Sequence, residues 1–479
     1  MVDGIQLILA LGLPWMAASL LLLRWWPAEA PGRWAGALGM GYFLAMFGVA
    51  ALLLVLDRIL GGWHFSGILV LAGLLAAAGG WLARERLDPR NAPLLPESSS
   101  GTDPLAVCWK DAALWIRLAV VLVLALLLVR LGGWLVEVLW RPVYGWDAYY
   151  YWSYRARGFF EHGGADIFSS PGALLRGDAG PYGLSGADRH PLLVSLIQMW
   201  PALALGYWHD SLVNLPWFLA GAALGLALYG YLRRFSLGIL PAILGTYMAL
   251  SVPLLGVHAG LGGYADIWMV GGFAVAALAL FALYYERRWQ EWLVLLPLLL
   301  AIPFIKQSGI LFSFALLLAA LFAWLRPGWG VAAGVAIVAA GVLAVLTVEA
   351  RIDLPILGTL VLDAGRVQLP RGGWFEFEPQ WGLFLQRLVV DGSWHLVFVL
   401  GLALMVLTIP LAWRQRPHRA WWALLMAVGV MTLVVYGGTG QAARLEDGTS
   451  FGRHVMPLAP VVLAWLWLCA YTWTRETTA

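Results

Sequence analysis

The stretch LILALGLPWMAASLLLL at residues 7–23 decides the fold. It carries no charged side chain, and its length approaches the ~20 apolar residues that cross a bilayer. In hydrocarbon, every backbone N–H and C=O must be satisfied inside the segment itself, so a run of this kind is a helix. Comparable runs follow at about 35–56, 66–83 and 114–138, and about nine more succeed the first large polar segment. The chain is 61% hydrophobic and only 12% charged, with a mean hydropathy of +0.78, which excludes a soluble globular domain. The alternating strands of an outer-membrane barrel are absent from the sequence. The expected fold is therefore all-α, a polytopic transmembrane helix bundle of about 13 spans.

Charge placement orients these spans. Asp3 precedes the first run and Arg24 follows it, opposite to a cleaved leader, which predicts an exterior N-terminus. Three leading helices (1–83) are followed by a linker at 84–111 that holds Arg84, Arg86, Arg90 and Lys110 beside Ser98-Ser99-Ser100-Gly101. Its basic residues place the linker in the cytoplasm, as they do the later turns at Arg233-Arg234, Arg287-Arg288, Arg326 and 414–419. The remaining module, 112–479, then presents its first outer loop at 141–210. Within that loop, residues 191–205 form an apolar stretch too short for a span and are expected to lie as a helix in the interface. The expected location is the inner (plasma) membrane, multi-pass, with the chemistry facing the periplasm or exterior. The outer loops carry many arginines, Arg155, Arg189 and Arg453 among them, against only two lysines in the whole chain. Genome base composition accounts for much of that bias, but guanidinium groups also suit bidentate phosphate binding. Two distant cysteines, Cys108 and Cys469, indicate neither a disulfide framework nor a metal cluster.

Five motifs share the outer face. The first is Tyr144-Gly145-Trp146-Asp147-Ala148-Tyr149-Tyr150, a carboxylate among aromatics just beyond a span. Trp146, Tyr150 and their neighbours also suit an interfacial aromatic belt, and Asp147 also suits a helix cap. A carboxylate at a lipid boundary is costly without a partner, which favours a role for it. The second motif, Asp188-Arg189-His190-Pro191, opens the short helix. The third, Gly262-Gly263-Tyr264-Ala265-Asp266, carries a second carboxylate into a span. The fourth, Lys306-Gln307-Ser308-Gly309, places a lysine between two apolar runs, where a snorkelling side chain is the plain alternative. The fifth is Gly452-Arg453-His454 before the last span.

In this order and on one face, the motifs resemble the GT-C superfamily of membrane glycosyltransferases, which includes protein O-mannosyltransferases and lipid A aminoarabinose transferases. The resemblance covers roughly residues 118–470. Trp146-Asp147 resembles the acidic site of that family's first outer loop, and His190-Pro191-Leu192 resembles its His-Pro-Pro-Leu element without the second proline. Asp266 resembles a later outer-loop aspartate. The segment 306–309 resembles a Lys-x-x-Gly element, and Arg453-His454 resembles an Arg-Tyr pair. The three leading spans have no counterpart in the family.

The resemblance implies a sugar donor linked to a polyprenyl phosphate and an acceptor that is a glycan, lipid or protein. Asp147 would then be the catalytic base, and Lys306 and Arg453 would bind the phosphate. Asp266, His190 and Arg189 would shape the sugar or acceptor site, and Trp146 and Tyr150 would stack on sugar rings. No definite cofactor is implied. A divalent cation on Asp147, Asp266, His190 and His258 is chemically conceivable, but their scatter supplies no ligand spacing. Two other functions fit a chain of this class. An O-antigen-type ligase or polymerase would concentrate its key residues in a late loop, and a transporter would show mid-span charges or paired broken helices.

Overall fold

The computed structural model describes residues 2–27, 30–87, 112–178, 180–354, 358–368, 374–376, 378–391, 393–438 and 442–478. Most of the expected cytoplasmic linker, with Ser99, Cys108 and Lys110, lies outside these residues. The chain is helical almost throughout. Among the described residues, seven helices are long and apolar enough to cross a membrane, or eight if one bent pair counts as a single span. Six further apolar helices of 10–17 residues are shorter than that measure. Prolines and polar breaks explain why fewer long helices form than there are apolar runs. Pro303 and Gly309 interrupt one hydrophobic stretch, and Ser251 to Pro253 another.

Packing divides the chain into two compact units. The first contains Met1–Ala279, Gln290–Gly309 and Pro460–Ala479, and the second Leu280–Trp289 and Ile310–Ala459. The helices that build the first are α1 (Val2–Trp25), α2 (Arg33–Leu60), α3 (Phe65–Leu87), α4 (Leu114–Trp140), α5 (Ser153–His162), α6 (Pro171–Leu175), α7 (Leu193–Leu205), α8 (Leu215–Arg234), α9 (Ile239–Leu250), α10 (Pro253–Gly260), α11 (Asp266–Tyr285, up to Ala279), α12 (Trp292–Ala301) and most of the last helix, Leu458–Thr478. The three leading helices belong to this unit. α1 packs on α2 and α3, and α2 packs along α8.

Small residues permit that last contact. A Cβ on Gly39 would sit 2.2 Å from the backbone nitrogen of Ala227, and one on Gly230 would sit 2.2 Å from that of Gly36. Helices in lipid gain most of their association energy from such close backbone approach. Gly39→Leu should therefore destabilise the protein by ~1–3 kcal/mol or more through overpacking. Gly48→Leu, on the same helix with open space around it, should be near neutral. Thermal unfolding of the two variants in detergent compares them directly, and equal midpoints would refute the packing account.

An aromatic layer joins α2, α8 and α11. The Tyr42 hydroxyl donates to the Pro216 carbonyl at 3.0 Å, the Tyr42 ring stacks on Trp268 at 5.9 Å, and Trp217 meets Trp268 edge-on. At one end of the unit, buried Arg234 bonds Glu291 and lies over the Trp26 ring at 4.5 Å. At the other, Arg58 forms a bidentate pair with Asp166 at 2.9 and 3.0 Å, and the Trp63 indole donates to the Phe159 carbonyl at 2.7 Å. The turn between α2 and α3 is thereby stitched to the first large loop.

The short helix α7 departs from its sequence reading. Its length suits the expected interfacial helix, but 12 of its 13 residues are buried. A helix lying at the lipid surface buries one face in protein at most, so α7 is a core helix of the first unit. Its position is held from several sides, including a 2.8 Å hydrogen bond from Trp200 to the Ala10 carbonyl.

The second unit is also mainly helical, with α13 (Gly309–Trp324), α14 (Pro327–Thr347), α15 (Trp381–Leu385), α16 (Val397–Leu407), α17 (Ile409–Arg414), α18 (Arg416–Thr432), α19 (Ala442–Glu446), α20 (Thr449–Val455) and the start of α21 (Leu458–Thr478). It also holds a small sheet that the all-α reading omits. Strands β1 (Ala350–Leu354), β2 (Gly358–Asp363), β3 (Arg366–Gln368) and β4 (Trp374–Glu376) form an antiparallel meander in sequence order. Ala364 and Gly365, both at positive φ, make the two-residue turn between β2 and β3, as a tight hairpin requires.

Candidate functional site

Asp266 begins α11, directly after the loop that follows α10. Its side chain is 1% exposed, and Lys306 Nζ lies 2.9 Å from Oδ1. His258, in the last turn of α10, places Nδ1 3.6 Å from Oδ2 and is itself buried. Lys306 sits in the break between the 3₁₀ turn Ile302–Phe304 and α13. Gly309 makes that break tight, since a Cβ there would fall 2.1 Å from the Ile302 carbonyl oxygen. A carboxylate this buried needs a cationic partner, and a lysine that is 24% exposed supplies one. Snorkelling alone therefore does not describe Lys306.

The Asp147 motif packs on the same loop. The Asp147 backbone N–H donates to the Tyr264 hydroxyl at 3.2 Å. A Cβ at Gly145 would meet the Tyr264 ring at 2.5 Å, and one at Gly263, where φ is +83°, would meet Ala148 and Ser153. Glycines at these positions let the two carboxylate-bearing segments touch. Asp147 is half-buried at the start of a π-helical turn, Ala148–Trp152. Beside it Trp146 and Tyr150 hold their rings 4.3 Å apart and are 65% and 48% exposed.

The Arg189-His190 segment closes the circuit. The His190 ring lies 4.5 Å from Tyr151 and 5.0 Å from Trp152. Gln307, next to Lys306, donates to the Arg189 carbonyl at 3.0 Å. Asp147, Trp146, Tyr150, Arg189, His190, Asp266 and Lys306 thus come together in one unit, linked through Tyr264, His258, Trp152 and Gln307. Arg453 lies in α20 of the second unit, with its neighbour His454 buried against Phe312 and Tyr436.

Several supporting residues escaped the sequence reading. Ser153 donates to Gln198 at 2.7 Å, and Gln198 donates to Asn214 at 2.7 Å, a buried polar chain beneath the loop. The signal was available, because Gln198 interrupts an apolar run and a buried amide demands a partner. Arg155 corrects an expectation outright. Grouped with the outer-loop arginines as a candidate for anions, it is 1% exposed. Its guanidinium donates to Ser195 Oγ at 3.1 Å, to the Ala187 carbonyl at 2.9 Å, and to the carbonyls of His190 and Pro191. Burial pulls its pKa down to about 9.

Among the described residues, no three His, Cys, Asp or Glu side chains gather as a metal-binding group. Chemically, the site offers a part-exposed carboxylate beside exposed aromatic rings, and a buried carboxylate paired with a part-exposed lysine. No family model matches the chain, and neither a characterised protein nor a solved structure is significantly similar to it.

Proposed function

We propose that this membrane protein is a glycosyltransferase that moves a sugar from a polyprenyl-phosphate carrier to an acceptor on the non-cytoplasmic face. The observation that carries the reading is the convergence of Asp147, Asp266, Lys306, Arg189 and His190, scattered over 160 positions of sequence, on one end of one unit. In the proposed reaction an acceptor hydroxyl oxygen attacks the anomeric carbon, and the bond from that carbon to the phosphate oxygen breaks. Asp147 takes the hydroxyl proton, and the polyprenyl phosphate leaves with the bonding electron pair. A positioned base contributes to such a step, and cations near the phosphate stabilise the charge that develops on it. Lys306 is such a cation in the first unit, and Arg189 and His190 shape the sugar or acceptor site. Arg453 and the GT-C-like fold enter the proposal on the family resemblance alone, and the count of about 13 spans on the apolar runs of the sequence.

The test is to incubate purified protein with a panel of polyprenyl-phosphate sugars and follow release of the free carrier phosphate. Release with at least one donor supports the reading, and none across the panel removes it. Topology supplies a second check. Cysteines at Ser99 and at Leu175, which is 88% exposed, are introduced after Cys108 and Cys469 are changed to serine. An impermeant reagent applied to intact cells should label position 175 and spare 99, and the reverse pattern would turn the site to the cytoplasm.

One observation favours a second reading, a transporter. α9 and α10 meet at a bend of 72°, and broken helices line transport sites. Solute uptake by proteoliposomes without carrier release would select it.

A further inference from the structure

We infer that Arg155 is a positioning residue, whose guanidinium fork holds the backbone of residues 187–191 so that Arg189 and His190 face the site. The inference rests on the transferase reading for its kinetic arm only.

Arg155 lies in the first full turn of α5, directly after the π-helical turn that follows Asp147. Four acceptors surround it, and all are neutral: Ser195 Oγ and the carbonyl oxygens of Ala187, His190 and Pro191. Ser195 in turn donates to the Trp152 carbonyl at 2.9 Å. One side chain therefore ties the helix after Asp147 to three carbonyls of the Arg189-His190 segment and to α7. Such an arrangement needs the planar fork. A lysine ammonium has three donors radiating from a single atom and cannot reach acceptors spread along this stretch of backbone. Asp188 is the carboxylate whose field reaches the guanidinium, but it is exposed and does not bond it. The segment is tied again from the other side, where Gln307 bonds the Arg189 carbonyl beside Lys306. A displacement of 187–191 would shift Arg189 and His190 together relative to Asp147, while the Asp266–Lys306 pair stayed in place.

The experiment compares Arg155→Lys and Arg155→Met with the wild type in full-length protein. The first arm measures kcat and donor KM per folded molecule, from carrier release. Arg155 touches no ligand surface, so kcat should fall ~10–100-fold with KM within about threefold, since misplacing reactive groups by ~1 Å costs rates of that order. Arg155→Lys should recover little of the loss. The second arm needs no transferase activity. A cysteine at Ala187, which is fully buried, is placed in a background lacking Cys108 and Cys469. Its labelling rate should rise about tenfold or more when Arg155 is replaced, because labelling then reports local opening of the segment.

Unchanged kcat in both variants overturns the inference, whatever the labelling shows, and so does an unchanged labelling rate. A wild-type protein that releases no carrier from any donor overturns the transferase reading instead, and the labelling arm still decides whether Arg155 holds the segment.

Discussion

Asp147→Asn should lower the transfer rate by ~10²–10⁴-fold and leave donor binding in place, the loss typical of removing a positioned base. Asparagine keeps the shape and most of the hydrogen-bonding capacity of aspartate but cannot take up a proton at neutral pH. The backbone of Asp147 is anchored by the Tyr264 hydroxyl and its side chain is only half-buried, so the isosteric substitution removes little packing. Folding should therefore be preserved, which makes the variant a clean probe. Single-turnover carrier release gives the rate, and donor affinity is measured on the same preparation. Near-normal turnover would take the base role from Asp147. A well-folded variant that no longer binds donor would move the residue to the carrier phosphate instead. Asp266→Asn is the companion measurement. Asp266 is fully buried and committed to Lys306, and so is poorly placed to meet an acceptor hydroxyl.

Lys306→Ala carries the second large effect, on stability as well as function. Removing one partner of a buried ion pair typically costs ~3–5 kcal/mol, a cost that His258, 3.6 Å from Asp266 Oδ2, offsets in part. The isolated sequence suggested that this substitution would weaken phosphate binding without disturbing the bundle. The pairing with Asp266 changes that expectation. A double variant, Lys306→Met with Asp266→Asn, removes both charges and should be more stable than Lys306→Ala alone. Unfolding in graded denaturing detergent measures the difference, and donor affinity follows in the double variant. Restored folding with donor affinity still lost would assign Lys306 to the phosphate. Restored folding with normal affinity would reduce the pair to a structural tie. If the single variant is as stable as the wild type, the ion pair contributes nothing and the geometric account of the site fails.

Much of this protein was legible without coordinates. Runs such as 7–23 and 114–138 determine helices by themselves, because the constraint that hydrocarbon places on the backbone is local and independent of any partner. Asp147, Asp266 and Lys306 stood out for an equally local reason, since an ionised group at membrane depth is costly wherever it lies. The small β-meander at 350–376 was available too. Ile352, Leu354 and the run Thr359-Leu360-Val361-Leu362 carry strand-forming residues, and Asp363-Ala364-Gly365 is a turn, but the apolar weight of the flanking sequence masked them.

Other features depended on contacts between distant positions. Residues 191–205 have the length and composition of an interfacial helix, and only the surrounding helices show that Leu193–Leu205 is enclosed on every side. Arg155 reads like Arg189 or Arg176 in sequence, yet its fate was set by the carbonyls of residues 187–191, which fold back over it. Sequence determined which residues are too polar for their surroundings and so require a partner. Tertiary structure alone decided which partner such a residue has, as Asp266 has Lys306 across 40 positions, and it set the Asp147 backbone N–H against the Tyr264 hydroxyl across 117. The cost of burying a charge is a property of one residue, whereas its compensation depends on distance, which only the packed helices define.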